Sequence, residues 1–410
     1  MKQLKTILSI RVFRFFAGCI ENRKNVVLDT FSFRKNSNGH FFIFILLVFF
    51  GCSEPAKEID DSSTLTNVKL NYAQGFTIEN GSDFKVLTLK SAWKGESTLY
   101  QYVLYKNEKP TGFDDAVFIK TPIKSIVCFS LTHVAFIDKL NELNSIKALS
   151  GCDYVSNEKV LENIKNQQIK EVGNNQLINY ELLVELNPEI VMTFGIDASS
   201  STKIDKLKKL GLNVVLNSEY MENHPLGKAE WIKFVAAFYD KDSLAEVIYN
   251  DIEVKYNNLV ELTKTVSNKP TVFVGMPWNG AWYLAGGKSF QAQLFTDAGA
   301  DYLWKQNEET SSFVVDKEVI IEKAINADYW INLNAYNSIK EVTDVDAKLN
   351  NFKSVKEGKV YNNNKKLNTT NGNDYWESGV INPEVVLADL IKIFHPNLLE
   401  HELEYYKRLE

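Results

Sequence analysis

Seven side chains that lie in polar loops or directly after predicted strands could bind a small molecule. They are Thr132, His133, Asn175, Tyr220, Trp278, Trp282 and Trp376. The three tryptophans lie in irregular loop sequences, where an indole presents a flat apolar face to a large conjugated or aromatic ligand. The other four offer hydroxyl, imidazole or amide groups for hydrogen bonds. We therefore predict a site for a bulky, partly aromatic molecule.

Several of these residues also have a purely structural interpretation. His133 could be a surface histidine, and the loop around Asn175 could be a plain turn that needs its glycine. Trp231, Trp304 and Trp330 fall in more regular segments, and we expect them to pack in helices or in the core.

A second kind of chemistry, charge pairing with a partner protein, is indicated by a short pattern that occurs twice. Each copy predicts a capped helix, a turn and a buried strand, and its third residue is a glutamate, Glu181 in one copy and Glu318 in the other. The helix dipole alone would explain either carboxylate. Its recurrence predicts two similar lobes that present matched acidic groups to a symmetric partner.

The overall charge disfavours a nucleic-acid partner. The 410-residue chain has a net charge of −6, while residues 1–51 carry eight Lys or Arg against two Asp or Glu. The rest of the chain is therefore acidic, whereas phosphate backbones are bound by clustered lysine and arginine. The length and the hydrophobic content of 45% predict a globular protein of two to three domains.

The N-terminal region predicts export and a lipid anchor. Residues 41–50 form an apolar run that is too short to span a bilayer and fits the core of a secretory signal. Residues 48–52 resemble a bacterial lipobox, which would make Cys52 the lipidated first residue of the mature protein. The alternative is a short interfacial helix. We assign residues 1–51 to the signal, with a translation start that could lie further downstream, and residues 53–66 to a flexible tether.

Cys128 and Cys152 lie in the predicted exported part of the chain, so they could form a disulfide. Both lie in apolar segments, where a free cysteine behaves as a small hydrophobe, and this favours free thiols. No CxxC or zinc-type spacing is present.

The elements that position these residues alternate between strands and helices. Residues 67–120 predict a small β-rich segment, followed by an N-terminal lobe at 121–241 and a C-terminal lobe at 267–410. One long helix at 242–266 joins the lobes. The fold class is therefore α/β, with two similar lobes, mainly parallel sheets and a rigid linking helix.

The order and spacing of several segments resemble those of a known family. They are PIKSIVCFSLTH at 122–133, VGNNQLINYE at 172–181, LNPEIV at 186–191 and the long helix. They resemble the periplasmic binding proteins that deliver iron complexes and cobalamin to ABC importers, over about 122–397. Residues 224–234 and 361–396 are similar to a lipoprotein branch of that family common in Bacteroidetes.

The resemblance implies a monomeric lipoprotein, anchored on the periplasmic face of the cell envelope, with an ABC permease dimer of the inner membrane as partner. It implies that Glu181 and Glu318 meet arginines of that permease, and that the ligand is a ferric siderophore, haem or cobalamin. For haem, His133 or Tyr220 could be the axial ligand of the iron. No other cofactor is expected. One alternative is a zinc- or manganese-binding protein of similar shape, for which the strand ends lack a third histidine. A sensor or an enzyme is disfavoured, because GxSxG, HExxH and P-loop motifs are missing from the sequence.

Overall fold

The computed structural model describes residues 65–174, 177–278 and 281–410. Its first sheet has the strand order β1-β2-β3-β4-β5, antiparallel up to β4, with β5 parallel to β4. The strands are β1 (Thr66–Asn67), β2 (Phe76–Asn80), β3 (Phe84–Leu89), β4 (Tyr100–Tyr105) and β5 (Val117–Lys120). The strands predicted for this stretch are thus present, and we call them the N-terminal sheet.

The second sheet is wholly parallel, with the order β10-β9-β6-β7-β8. Its central strands are apolar and buried on both faces, as expected when helices cover a parallel sheet. The strands are β6 (Ile126–Cys128), β7 (Ile146–Leu149), β8 (Lys170–Glu171), β9 (Ile190–Thr193) and β10 (Val214–Leu216). The helices between them are α1 (Leu131–Lys139), α2 (Glu158–Lys165), α3 (Tyr180–Leu186) and α4 (Ser199–Lys209).

Two helices follow this sheet and lead into the second half of the chain. Helix α5 (Pro225–Ala237) is buried over nearly its whole length. Helix α6 (Asp242–Thr263) has 22 residues, about 33 Å at 1.5 Å per residue. It ends at Thr263, slightly earlier than the predicted 266.

The third sheet has the order β14-β11-β16-β17-β18, in which only β18 is antiparallel to its neighbour. A separate antiparallel sheet, β12-β13-β15, lies beside it in sequence. The strands are β11 (Thr271–Val274), β12 (Pro277–Trp278), β13 (Ala281–Ala285), β14 (Asp301–Tyr302), β15 (Ser312–Val315), β16 (Tyr329–Ile331), β17 (Val360–Asn362) and β18 (Lys407–Arg408). The helices are α7 (Phe290–Asp297), α8 (Lys317–Ala324), α9 (Ile339–Val345), α10 (Lys353–Lys356), α11 (Asp374–Glu377) and α12 (Pro383–Phe394).

The first helix is shorter than the sequence pattern predicts. The apolar spacing of residues 132–143 predicts one helix over that range, but α1 ends at Lys139. Asn141 has a φ of 58°, which lies in the left-handed region and ends the helical path. The last apolar residue of the predicted helix, Leu143, begins a short 3₁₀ turn.

Two buried carboxylates attach the N-terminal sheet to α5. Glu230 is fully buried and accepts hydrogen bonds from the three backbone N–H groups of residues 71–73. Glu222 accepts from the N–H groups of residues 74 and 75 and from the indole of Trp231. Aromatic rings of α5 pack on the inner face of β2, and both belong to one continuous core. All described residues fall within one compact unit.

Cys128 and Cys152 are both free and buried, which confirms the preference for free thiols. Among the described residues, no helix is long and apolar enough to cross a membrane.

Candidate functional site

A cavity of about 620 Å³ lies between residues that precede α6 and residues that follow it. Before α6 it is lined by Lys94, Tyr220 and Met221. After α6, its polar lining includes Asn332 and Asn363, which directly follow β16 and β17. Ligands of open parallel sheets bind beyond the carboxyl ends of the strands, and this larger cavity has that position.

A smaller cavity of about 210 Å³ shares Tyr220, Phe290 and Trp376 with the larger one, so the two are adjacent. Its other lining residues are mostly apolar groups of α7, α11 and α12 and of the turns beside them. Thr132, Glu219 and Lys228 supply its polar groups. The combined space has apolar walls and a small number of placed polar groups, as small-molecule sites do.

Tyr220 stands where the two cavities meet. Its hydroxyl donates a hydrogen bond of 2.6 Å to the backbone oxygen of Gly195, which fixes the ring. Burial, reinforced by the neighbouring Glu219 carboxyl, raises the pKa of Tyr220 to about 12. The phenol is therefore neutral at physiological pH. It could ligate ferric iron only after losing both its proton and this hydrogen bond.

The polar end of the smaller cavity combines a carboxyl and an ammonium group. Burial raises the pKa of Glu219 and lowers that of Lys228, while each partly offsets the shift of the other. The Lys228 Nζ donates to the backbone oxygen of Glu219 at 3.2 Å and lies 4.6 Å from the ring centroid of Phe290. Sequence reasoning missed Glu219 and Lys228. The signal was the polar segment that follows β10, in which Glu219 lies in a turn and Lys228 in the first part of α5.

The side chain of Asn332, which lines the larger cavity, is a buried amide whose hydrogen-bonding capacity is largely unused. Asn332 follows β16 with a φ of 59°, and both of its polar side-chain atoms are buried. Among the described residues neither atom has a hydrogen-bond partner; the hydroxyl of Tyr406 lies beside the amide without a well-formed bond. A buried unsatisfied amide costs about 1–3 kcal/mol, which a hydrogen-bonding ligand would recover.

The structure brings three of the predicted residues together. Thr132, Tyr220 and Trp376 line the cavities, and Trp376 remains 55% exposed. Trp278 is 63% exposed but lines a separate depression with Asn334, which is also a lining residue of the larger cavity. It therefore lies next to the site. Asn175 and Cys52 lie outside the described residues.

Trp282 is a correction to the predicted set. It is fully buried, donates from its indole nitrogen to the backbone oxygen of Val274 at 3.1 Å, and stacks on Trp330. The segment that we interpreted as an irregular loop is the β12–β13 hairpin. Because side chains alternate along a strand, Trp282 points into the core and its neighbour Tyr283 faces the larger cavity. Trp231, Trp304 and Trp330 are buried, as predicted.

His133 is a second correction. Its side chain is fully buried within α1, is not among the residues that line the cavities, and has no hydrogen-bond partner among the described residues. Burial, together with the positive charge of Lys203, lowers the pKa of His133 to about 3. The imidazole is neutral and packed, because the inward face of α1 carries it into the core.

Glu181 and Glu318 occupy matched positions in the two halves. Each is exposed and lies in the first turn of its helix, α3 and α8 respectively. Each helix leads to a parallel strand, β9 or β16, so the repeated pattern in the sequence is a repeated structural unit.

The family comparison decides the class of this protein. The sequence profile of the periplasmic binding protein family matches residues 126–367. The chain belongs to this family. It is a solute-binding protein with the two-lobed α/β fold of class III periplasmic binding proteins. The family is not one of enzymes.

Two relatives of this chain are lipoproteins. An uncharacterized lipoprotein of Methanocaldococcus jannaschii is 28% identical over 69% of this chain and 68% of its own length. A second lipoprotein of that organism is 26% identical over 99% of both chains.

Two solved structures show the same fold at low sequence identity. A possible iron-binding periplasmic solute-binding protein from Staphylococcus epidermidis has a TM-score of 0.54 and 16% identity, over 67% of this chain and 100% of its own. A periplasmic heme-binding protein from Pseudomonas aeruginosa has a TM-score of 0.55 and 13% identity, over 70% and 98%.

Proposed function

We propose that this periplasmic binding protein captures a metal chelate in the cavity between its two halves and delivers it to an ABC permease dimer. The chelate would be a ferric siderophore, haem or cobalamin. The observation that carries the proposal is the larger cavity itself. Its volume of about 620 Å³ falls within the range of pockets that enclose drug-sized ligands, and Tyr220, Tyr283 and Trp376 supply aromatic surface.

The polar lining suits a chelate with many peripheral oxygen and nitrogen atoms. Serine, threonine, asparagine and glutamine side chains of the second half surround the larger cavity. Asn332 has buried polar atoms that a ligand could satisfy. Among the described residues, no group of three or more His, Cys, Asp and Glu could hold a bare metal ion. No observation favours the zinc or manganese alternative.

Glu181 and Glu318 would orient the protein on the permease. Both carboxylates are exposed and occupy equivalent helix starts in the two halves. Charged groups at an interface set orientation and encounter rate more than affinity, so these residues would guide docking onto arginines of the permease dimer. Lipidation of Cys52 would hold the monomeric protein at the periplasmic face of the membrane. The two lipoprotein relatives support that anchor.

A fluorescence titration tests the ligand. The full chain in detergent micelles is titrated with haemin, cobalamin and a panel of ferric siderophores. Saturable quenching by one class at micromolar concentrations or below would support the proposal. Trp376→Phe should remove part of the quenching, whereas Trp304→Phe, a buried ring outside the cavity lining, should leave the affinity unchanged. Lack of binding by the whole panel would refute the proposed function.

A docking experiment tests the two glutamates. The double variant Glu181→Ala with Glu318→Ala should lose binding to the permease while retaining ligand affinity. The matched control replaces Glu185 and Glu322, which lie one turn further along the same helices. If the double variant docked as well as the control, the matched carboxylates would have no docking role.

A further inference from the structure

The N-terminal sheet lies outside the residues that the family profile matches, yet it contributes to the binding cavity. The profile begins at residue 126, whereas the turn between β3 and β4 covers residues 90–99. Lys94 in that turn lines the larger cavity beside Tyr220 and Met221. One lining residue of the cavity therefore comes from a part of the chain that lies outside the matched family region.

The backbone that carries Lys94 is firmly attached to the strand ends of the second sheet. The neighbouring Trp93 is buried and packs directly on Gly195, where any side chain would overlap its ring. The backbone oxygen of Ala92 accepts a hydrogen bond of 3.1 Å from the Ser218 hydroxyl. Ser91 closes the turn by donating to the backbone oxygens of residues 93 and 96. The position of Lys94 is thus defined, although its side chain is 69% exposed.

Across the mouth of the cavity, Lys94 meets a carboxylate from the other half of the protein. Its Nζ lies 3.1 Å from Oε2 of Glu309, which is itself 49% exposed. Ion pairs with this much solvent exposure contribute little net free energy. The contact is therefore one that a negatively charged ligand group could replace at small cost.

The charges around the cavities favour an anion. Among the described residues that line the two cavities, the lysines and acidic groups are Lys94, Lys228 and Glu219. The two ammonium groups outnumber the single carboxyl, while burial raises the pKa of Glu219 and lowers that of Lys228. Lys94 is exposed and paired with Glu309, so the lining favours a negatively charged ligand group when that group takes the place of the Glu309 carboxylate.

We propose that Lys94 is a ligand-binding residue that selects anionic metal chelates, and that Glu309 is the internal anion which such a chelate displaces. This inference rests on the proposed function and narrows it. The anionic group is a carboxylate, as on haem, or a catecholate, as in a ferric tricatecholate. Neutral chelates such as ferric trihydroxamates and cobalamin gain nothing from this contact.

The test uses ligands matched in shape and different in charge. The full chain in detergent is titrated with haemin and with haemin dimethyl ester, and with a ferric tricatecholate and a neutral ferric trihydroxamate. The variants are Lys94→Gln and Glu309→Gln. The controls are Lys90→Gln, an exposed lysine of the same turn that is not among the lining residues, and Glu308→Gln, which pairs with a different lysine.

The two variants should act in opposite directions. Lys94→Gln should weaken the anionic ligands by about five- to thirtyfold, the loss of one charge-assisted contact, and change the neutral ligands by less than about twofold. Glu309→Gln should strengthen the anionic ligands by about two- to fivefold, because the competing carboxylate is gone. Both controls should bind as the wild type does. Tighter binding of haemin than of the tricatecholate, or the reverse, shows whether the anionic group that meets Lys94 is a carboxylate or a catecholate.

Two outcomes would overturn the inference, and they are distinguishable. If the wild type binds only neutral ligands, if Lys94→Gln binds an anionic ligand as well as the wild type does, or if it loses charged and neutral ligands alike, Lys94 does not select charge. If the wild type binds no ligand at all, the proposed function fails and takes this inference with it. Equal thermal unfolding of all variants shows that the fold is intact.

Discussion

Replacing Glu230 should loosen the attachment of the N-terminal sheet to the rest of the protein. This carboxylate is fully buried and accepts three backbone hydrogen bonds, of 2.9, 2.8 and 2.8 Å, from residues 71–73. It also pairs with the Lys233 ammonium at 3.2 Å. Glu230→Ala would remove the acceptor of all three donors and leave the N–H of Ala73 buried without a partner, although Lys233 keeps a second partner, Glu246, at 2.9 Å.

The expected magnitude follows from the number and kind of lost contacts. Removing one partner of a buried, hydrogen-bonded charge pair costs about 3–5 kcal/mol. We expect Glu230→Ala to lower the free energy of unfolding by that amount. Glu230→Gln keeps one oxygen for the N–H groups but loses the charge, so its cost should be about 1.5–3 kcal/mol. Glu253→Gln is the control, because Glu253 bonds the same segment only through an exposed contact with the Asn71 side chain. Its effect should be below about 1 kcal/mol.

Two measurements check this order of effects. Urea unfolding gives the free energies, and hydrogen–deuterium exchange reports directly on the amides of residues 71–73. A local loss of 3 kcal/mol would speed their exchange by about a hundredfold. If Glu230→Ala lay within about 1 kcal/mol of the wild type and its amides stayed protected, the carboxylate would not anchor the sheet and the reasoning would be refuted.

Three further predictions concern other buried positions. Burial raises the pKa of Glu377 to about 7, above the usual 4.5, so the folded state binds this proton more tightly than the unfolded state does. The free energy of unfolding should therefore fall by up to about 3 kcal/mol as the pH rises from about 4.5 to 7. Urea titrations across that range should show this slope, and Glu377→Gln should flatten it. Cys128 and Cys152 should resist a thiol reagent at neutral pH until the protein unfolds, because burial raises the pKa of both thiols, that of Cys152 to about 12. The assay uses a variant in which the other two cysteines are serine, and rapid labelling of its native state would contradict this expectation. Gly195→Ala should lower the free energy of unfolding by about 1–3 kcal/mol in thermal or urea unfolding, because the added methyl group would overlap a buried indole. Gly379→Ala, whose methyl group would make only ordinary contacts, should be tolerated. Equal stability of the two variants would argue against tight packing at Gly195.

The sequence was a good guide to elements whose signal is local. The buried strands at Ile126–Cys128 and Ile190–Thr193 are short apolar runs, and the helix at Asp242–Thr263 is a long stretch without glycine or proline. Such patterns reflect the burial and period of a single element, so they can be recognised without knowing its neighbours. The matched helix starts of Glu181 and Glu318 were visible for the same reason.

The sequence was a poor guide to the direction of individual side chains. Trp282 and Tyr283 are adjacent and both aromatic, yet one is core and the other lines the cavity. Which of the two points inward depends on the register of the β12–β13 hairpin with β15. His133 was misplaced in the same way, because the face of α1 that meets the sheet is set by packing.

By itself, the amino-acid sequence determined the class of fold, the order of strands and helices and the exposed carboxylates, since each depends on residues close together in the chain. Only the tertiary structure decided the composition of the binding cavity. Lys94, Glu219 and Asn332 come from three separate segments, and they line two adjacent cavities because the N-terminal sheet, the turn after β10 and the end of β16 pack together. Long-range packing of this kind leaves no periodic pattern in the sequence, so the charge that the cavity presents to a ligand could be seen only in three dimensions.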